Sequence, residues 1–425
     1  MVAKPSMSDL IGGLPPMASV VPLHEGPVNA TPELDLTVPF GRVSRHLSIY
    51  APNAVFGLID ELAHLSRRAI EPNVFFDPQF LAPAMPRLDD RKVRLMVVRD
   101  ETGSRSRLRL LMPFSVERSA FIGGVATIRA WTHPFGPLGT LPVDGDDPAG
   151  TLSNFLSTLT APELGLPDVL VIPDVRIDGP MATTLLAAAA KAGLPTAVAN
   201  RVSRAALIKG ADTVRPSPLS GRRRRELARQ TRRLSATGPV SLETARQPDD
   251  VRLALEDFFS LEASGWKGRA RTALIIDRYR SAFAREAINA LAQDDRVRIY
   301  TLKTGSRPVA SLVVLVDRGQ AYTWKTAYDE AFAATSPGQQ IVAAATRALL
   351  ADPAVERADS CTVPDHFVMN RFWPDRIAVG TIVVGLTPET GARVDKVARG
   401  LASMRRSRNL ARIMRQRVQG MLSFR

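Results

Sequence analysis

A chain of 425 residues has the length of two or three domains of about 150 residues each. Its 45% hydrophobic and 23% charged content supports globular cores and excludes wholesale disorder. The single cysteine, Cys361, excludes an internal disulfide framework and cysteine-rich metal sites and points to a reducing cytoplasm. The net charge of +14 belongs to one half: residues 1–213 hold 20 Lys and Arg against 21 Asp and Glu, and residues 214–425 hold 36 against 21.

Residues 1–34, rich in Pro, Gly, Met and Ser without periodicity, read as a flexible leader. Asp9, Gly12, Gly13, Pro15 and Pro16 interrupt any apolar stretch there, so no secretory signal is expected. Nor does any apolar run reach the ~20 residues of a membrane span. Residues 38–50 look extended, and 53–70 carry a helical stripe of Val55, Leu58, Ile59, Leu62 and Leu65. A short helix is expected over 77–88, strands over 93–99, 108–116 and 125–131, and a helix over 148–159. A strand over 168–172, a helix over 181–192 and a strand over 196–208 complete the first half.

The second half repeats that order. An extended segment at 240–244 is followed by helices over 249–264 and 277–293 and strands over 297–303, 308–316 and 321–328. Then come a helix over 337–350, a strand over 358–363, a short helix over 365–373 and a last strand over 377–385. The matching succession predicts two similar α/β (α+β) domains, 35–213 and 214–390, joined near 212–218, with a basic tail over 391–425. Between 215 and 233 eight arginines face one acid, and between 393 and 425 ten basic residues face one acid. Val394, Val397, Leu401 and Met404, continued by Leu410, Ile413 and Met414, make the tail an amphipathic helix, interrupted in propensity by Gly400 and Gly420. Such a helix can lie on anionic lipid or pack on the protein itself.

Three clusters can carry chemistry. Strand 321–328 leads through Asp329 and Glu330 to Ser336-Pro337-Gly338-Gln339. There Ser336 as N-cap, Pro337 at the first helical position and Gln339 three residues after the serine compose a capping box. Gly338 would leave its own and the Gln339 N–H open to an anion at the helix start, and plain capping is the alternative. Glu262 continues the apolar stripe of Val251, Leu255 and Phe258, so its carboxylate is expected buried, either paired with Lys267 for structure or held as a base. Asp359-Ser360 and Asp365-His366 form the third cluster, with His366 read as a base or as a packing residue. The place of Cys361 within a strand favours an inert thiol over a covalent nucleophile. No nucleophile elbow, zincin, P-loop or Rossmann motif is present.

Gly265-Trp266-Lys267-Gly268, Trp324-Lys325-Thr326-Ala327-Tyr328-Asp329, Ser336-Pro337-Gly338, Asp359-Ser360 and His366 together resemble the GNAT-type acetyltransferases of bacterial cellulose and exopolysaccharide clusters, the CelD family. The resemblance is densest over 215–385, and the common Gln/Arg-x-x-Gly-x-Gly/Ala phosphate loop is absent. It implies two tandem GNAT-like domains as in FemABX transferases, with mixed central sheets flanked by helices. The second domain would take acetyl-CoA in the gap beside strand 321–328, without a metal. Cofactor contacts would then fall to Lys325, Thr326, Ser336, Gly338 and Gln339. The proton would go to Asp329, Glu262 or His366, and acceptor contacts would come from Trp266, Lys267, Trp324, Tyr328 and Asp359. The implied acceptor is a small molecule or saccharide. The implied setting is the cytoplasm, with the basic tail at the inner membrane or a polysaccharide synthase, and nucleic acid is not an expected partner. Two other readings stand beside it: an aminoacyl transferase using aminoacyl-tRNA, for which the basic helix at 219–234 could make contact, and an anion-binding scaffold without activity.

Overall fold

The computed structural model describes residues 31–40, 43–88, 92–102, 105–118, 124–133, 135–210 and 220–422, with side chains beyond 407 excluded. Most of the leader, the joint at 212–218 and the side chains of Leu410, Ile413 and Met414 therefore lie outside the described residues. The first half runs β1 (Leu34–Phe40), β2 (Val43–Tyr50), α1 (Ile59–Arg68), α2 (Pro78–Ala84), β3 (Arg94–Thr102), β4 (Arg105–Arg118) and β5 (Ala126–Ala130). It continues through α3 (Pro148–Thr158), β6 (Val169–Arg176), α4 (Pro180–Lys191) and β7 (Thr196–Ile208). The second half opens on α5 (Gly221–Ser235), then β8 (Val240–Ala245), α6 (Pro248–Ser264), α7 (Trp266–Arg269), α8 (Arg278–Gln293), β9 (Val297–Thr304), β10 (Arg307–Asp317) and β11 (Gly319–Tyr328). It closes with α9 (Pro337–Ala351), β12 (Val355–Asp359), α10 (Phe367–Phe372), β13 (Asp375–Gly385) and α11 (Gly391–Leu422).

This is a mixed α/β fold in which both halves follow the expected succession. The extended stretch at 38–50 resolves into two antiparallel strands, with Leu34 opposite Ile49. The strand expected over 358–363 starts earlier and ends at Asp359, because Cys361 adopts a left-handed backbone (φ 48°) that turns the chain out of the sheet.

Among the described residues thirteen strands form one sheet in the order β1-β2-β3-β4-β5-β6-β13-β7-β12-β11-β10-β9-β8. The halves exchange their last strands. β7, which ends the first half, pairs with β12 of the second, Ala358 opposite Leu207. β13, which ends the second half, pairs with β6 of the first, Val383 opposite Val171. The two exchanged strands also pair with each other, Val379 opposite Val202. β10 is covered on both faces and reads as an apolar run. On β10, Val313 and Leu315 face the core beneath α6 and α8, whereas Leu312, Val314 and Val316 face the core beneath α9 and α10. The start of the α11 stripe is spent inside the molecule: Val394, Val397 and Leu401 are buried against Val169, Val171, Ala199 and Val383. No described helix is long and apolar enough to cross a membrane.

Candidate functional site

β11 and β12 run parallel and stay paired only from Gly319 to Tyr322, the last pair being Tyr322 with Asp359. Beyond it the strands part. β11 continues to Tyr328, while the other chain leaves the sheet through Ser360, Cys361 and Thr362. A bulge sharpens the divergence: Val313 faces Lys325 and Val314 faces Thr323, so Trp324 is the extra residue on β11. Between the parted segments lies a cleft of about 340 Å³, walled by 323–326 of β11, by 360–362 and His366, and by Gly338 and Val342 of α9.

At the helix end of this cleft, the chain does not build the capping box. Ser336 adopts φ 51°, ψ 54°, and its hydroxyl caps nothing. A 3-10 turn over 330–335 feeds directly into α9, and Ser336 must take the left-handed conformation to redirect the chain. Its carbonyl accepts the Gln339 N–H (2.9 Å) and the Gln340 N–H (3.2 Å), so Gln339 has no open amide. The Gln339 side chain instead accepts from Arg371 (2.6 Å). The Gly338 N–H makes no hydrogen bond to a described residue and Gly338 lines the cleft, so one of the two expected amides is open. A Cβ at 338 would meet Tyr328 Cδ1 at 3.5 Å, ordinary contact.

Lys325 stands in the cleft wall with its Nζ 4.5 Å from the Phe135 ring centre. Burial brings its ammonium down to about 8; Glu262 opposes the shift, and Lys267 and Arg280 add repulsion. His366 also lines the cleft, and burial lowers its pKa as well. It caps α10: Nδ1 accepts the Met369 N–H (3.2 Å), which places the proton of the neutral ring on Nε2. A ring so held is a hydrogen-bond donor through Nε2.

The two carboxylates read as bases are committed elsewhere. Glu262 is buried, accepting from Lys267 Nζ (2.9 Å) and from the Leu274 N–H (2.8 Å). Lys267 also donates to the Thr326 carbonyl (3.1 Å), tying α7, and through Glu262 the end of α6, to the parted strand. Asp329 caps the 3-10 turn through the Ala331 N–H (2.9 Å) and pairs with Arg307 (2.5 Å). Neither carboxylate is among the cleft walls. Asp359 is also outside it, accepting the Cys361 N–H (2.8 Å) and pairing with Arg204 of β7. Of the remaining expected contacts, Thr326 and Lys267 line the cleft, and Trp266 and Tyr328 line it while keeping exposed surface. Trp324 lines it too and donates to the Phe135 carbonyl (2.8 Å) across the two halves.

Sequence reading missed Arg204, which anchors the turn at 359–361; a lone arginine among Val202, Ala205 and Ala206 was the available signal. Phe135, which comes from the first half, had none. The Cys361 thiol lines the cleft, and burial pushes its pKa well up, so it stays protonated and a poor nucleophile. Among the described residues no group of His, Cys, Asp and Glu is arranged to hold a metal ion.

A family model described as an acetyltransferase (GNAT) domain matches residues 221–367, a span that contains every cleft-lining residue except Val368 and Met369. No curated protein matches the sequence. Among solved structures, the chain is similar to the C-terminal DUF2156 domain of a lysylphosphatidylglycerol synthetase-like protein from Agrobacterium fabrum (11% identity, 80% of this chain, 95% of that one, TM-score 0.49). It is also similar to FemX (9% identity, 80% and 98%, TM-score 0.48). A third is a tandem GNAT protein from the clavulanic acid biosynthesis pathway (13% identity, 81% and 99%, TM-score 0.35).

Proposed function

We propose that the chain is an acyltransferase that takes acetyl-CoA in the cleft beside β11 and moves its acyl group to an amine or hydroxyl. The observation that carries this reading is the parting of β11 from β12 over a Gly338 amide left open at a helix start. The fit is chemical: an open N–H at the positive end of α9 suits a diphosphate oxygen, and the parted strand offers backbone to an amide-bearing arm. Bound acetyl-CoA supplies an activated acyl thioester. The chain supplies position, a proton acceptor and a donor. Lys325, partly neutral near pH 7, takes the proton that the acceptor loses as it gains the acyl carbon, and returns it to the departing sulfur. His366 Nε2–H donates toward the reacting groups. Trp266 and Tyr328 at the mouth offer aromatic faces to a sugar ring, which supports a saccharide acceptor of the kind used in exopolysaccharide synthesis.

Calorimetry tests the donor. Acetyl-CoA should bind the wild-type chain and Gly338→Ala, and Gly338→Trp should abolish binding; a wild-type chain that takes no acetyl-CoA overturns the reading. One observation favours a second donor. Arg222, Arg223, Arg224, Arg225, Arg232 and Arg233 are exposed on α5 and make no ion pair with a described residue, and α5 packs on the 3-10 turn leading to α9. Binding of charged tRNA without binding of acetyl-CoA would make the donor an aminoacyl-tRNA.

A further inference from the structure

Large apolar side chains left in water gather around the mouth of the cleft. Of the fourteen exposed among the described residues, seven lie in segments that border it: Trp266, Ile275, Ile276 and Tyr279, then Tyr328 on β11, then Val363 and Phe367. The other seven are spread along the chain from Ile59 to Leu350. Single exposed apolar residues are ordinary; a concentration of them around one opening is not. Tyr279 is 51% exposed and Phe367 66%. Hydrogen bonds and ring contacts hold these segments at the mouth. Trp266, Tyr328 and His366 line the cleft itself. The Thr272 N–H donates to the Lys267 carbonyl (2.8 Å) and the Leu274 N–H to Glu262 (2.8 Å), which brings 274–276 back beside the cleft wall. At the start of α8, Arg280 lies over the Phe135 ring that also covers Lys325.

The charges among these apolar groups are mostly of one sign. Segment 264–280 holds five basic residues and one acid, Asp277, whose carboxylate is spent capping α8 on the Tyr279 and Arg280 N–H groups. Arg269 is paired with Glu330 (2.6 Å), but Arg271 and Arg278 are exposed and make no ion pair with a described residue. Arg278 lies over the Tyr279 ring (4.6 Å). On the far side Asp365 is matched by Arg371, which lies over the exposed Phe367 ring (4.0 Å). Burial and, after it, the charge of Arg223 on α5 lower the Arg371 pKa, so the arginine face of α5 reaches this side of the mouth. Apolar and aromatic side chains interleaved with unpaired arginines fit a partner that is anionic at its surface and apolar beneath. We infer that the mouth of the cleft docks on an anionic lipid bilayer. Ile275, Ile276, Tyr279, Val363 and Phe367 enter the headgroup layer, and Arg271, Arg278 and the α5 arginines meet lipid phosphates. The cleft then opens onto the membrane surface, and the tail helix is not the anchor.

The test is co-sedimentation of the full chain with vesicles of phosphatidylcholine alone and of phosphatidylcholine and phosphatidylglycerol in equal parts. The wild-type chain should sediment with the mixed vesicles and stay in solution beside the neutral ones, and added salt should weaken the binding. Ile275→Ser with Ile276→Ser, and separately Arg271→Asn with Arg278→Gln, should each weaken partitioning about tenfold at an unchanged melting temperature. Asn suits the left-handed backbone of Arg271 (φ 55°). Replacing Arg408, Arg412, Arg415 and Arg417 of the tail by Gln should leave most of the binding. A wild-type chain that ignores the mixed vesicles overturns the inference, as does binding that survives both double substitutions or that the tail substitutions abolish. A dimer that the isoleucine substitutions break, in a chain that ignores the vesicles, would make a second copy the occupant and overturn it equally. The vesicle readout involves no acyl donor, so it stands or falls independently of acetyl-CoA binding.

Discussion

At the scale of single residues, Lys325 is where chemistry and stability pull apart. A lysine at about 8 instead of its ordinary 10.5 is held in a place that penalises its charge. Between those two values the unfolded chain binds a proton that the folded chain has lost, so the folded state gains stability as pH rises through this window and is penalised below it. Lys325→Met should therefore raise the melting temperature at pH 7, with the gain shrinking as pH rises above about 8, read by thermal denaturation across pH. Activity has a related sign, because only the neutral amine accepts a proton. The wild-type kcat/KM should climb with pH to a plateau near 8.5–9, about half a unit to one unit above the group's own value, and Lys325→Met should lower the rate by about 10²–10⁴ and remove that limb. A wild-type profile flat from pH 6.5 to 9 would remove Lys325 from the proton path. Asp359 is the contrasting case. It and Arg204 are both buried, and the pair pins the turn that opens the cleft. Asp359→Ala strands a buried guanidinium and should cost about 3–5 kcal/mol in urea unfolding, far more than Asp329→Ala. Sequence alone pointed to Asp359, Glu262 and Asp329 as chemically interesting without showing that their oxygens were spoken for, since commitment depends on partners up to 155 positions away.

Among the elements, the cleft comes from three local departures from regularity: the bulge at Trp324, the left-handed Cys361 and the left-handed Ser336. The first two part the strands and the third aims α9 into the opening. Sequence showed the strand, the helix start and the glycine between them, because alternation, proline at the first turn and glycine each have local causes. It gave the wrong cap at Ser336, since the S-P-G-Q pattern fits a capping box equally well and the 3-10 turn that overrides it is set by Asp329 and Arg307. Ser336→Gly should thus stabilise α9 by roughly 0.5–1 kcal/mol, the reverse of the loss expected on removing a true serine cap. Chemical denaturation of the two proteins decides the sign. The tail helix is similar: its apolar spacing was legible, but the seat of Val394, Val397 and Leu401 on the apolar patch of β6, β7 and β13 was not, because that patch is assembled from strands far apart in the chain.

For the whole molecule, the succession of elements was readable in each half, and the exchange of last strands was not. A strand's composition reports burial and leaves its partner open, so β7 and β13 fit either half equally well. The exchange makes the halves interdependent. Cutting the chain at a protease site inserted between residues 210 and 220 should leave the two pieces eluting together from a sizing column at neutral pH, held by β7 on β12 and β13 on β6. Residues 220–425 produced alone should aggregate, because β12 and β13 would each expose an unpaired edge. Two stable, separately eluting pieces would contradict the paired registers described above.

The same exchange fixes a timetable during synthesis. When the ribosome has made residue 210, the slot between β6 and β7 is empty, and the strand that fills it, β13, emerges only about 165 to 175 residues later, ~10–30 s at ordinary elongation rates. Throughout that interval the nascent chain carries an unfilled gap at its centre. A premature stop codon anywhere before residue 385 would consequently ruin the fold of the part already made, so nonsense alleles late in the gene should behave like early ones.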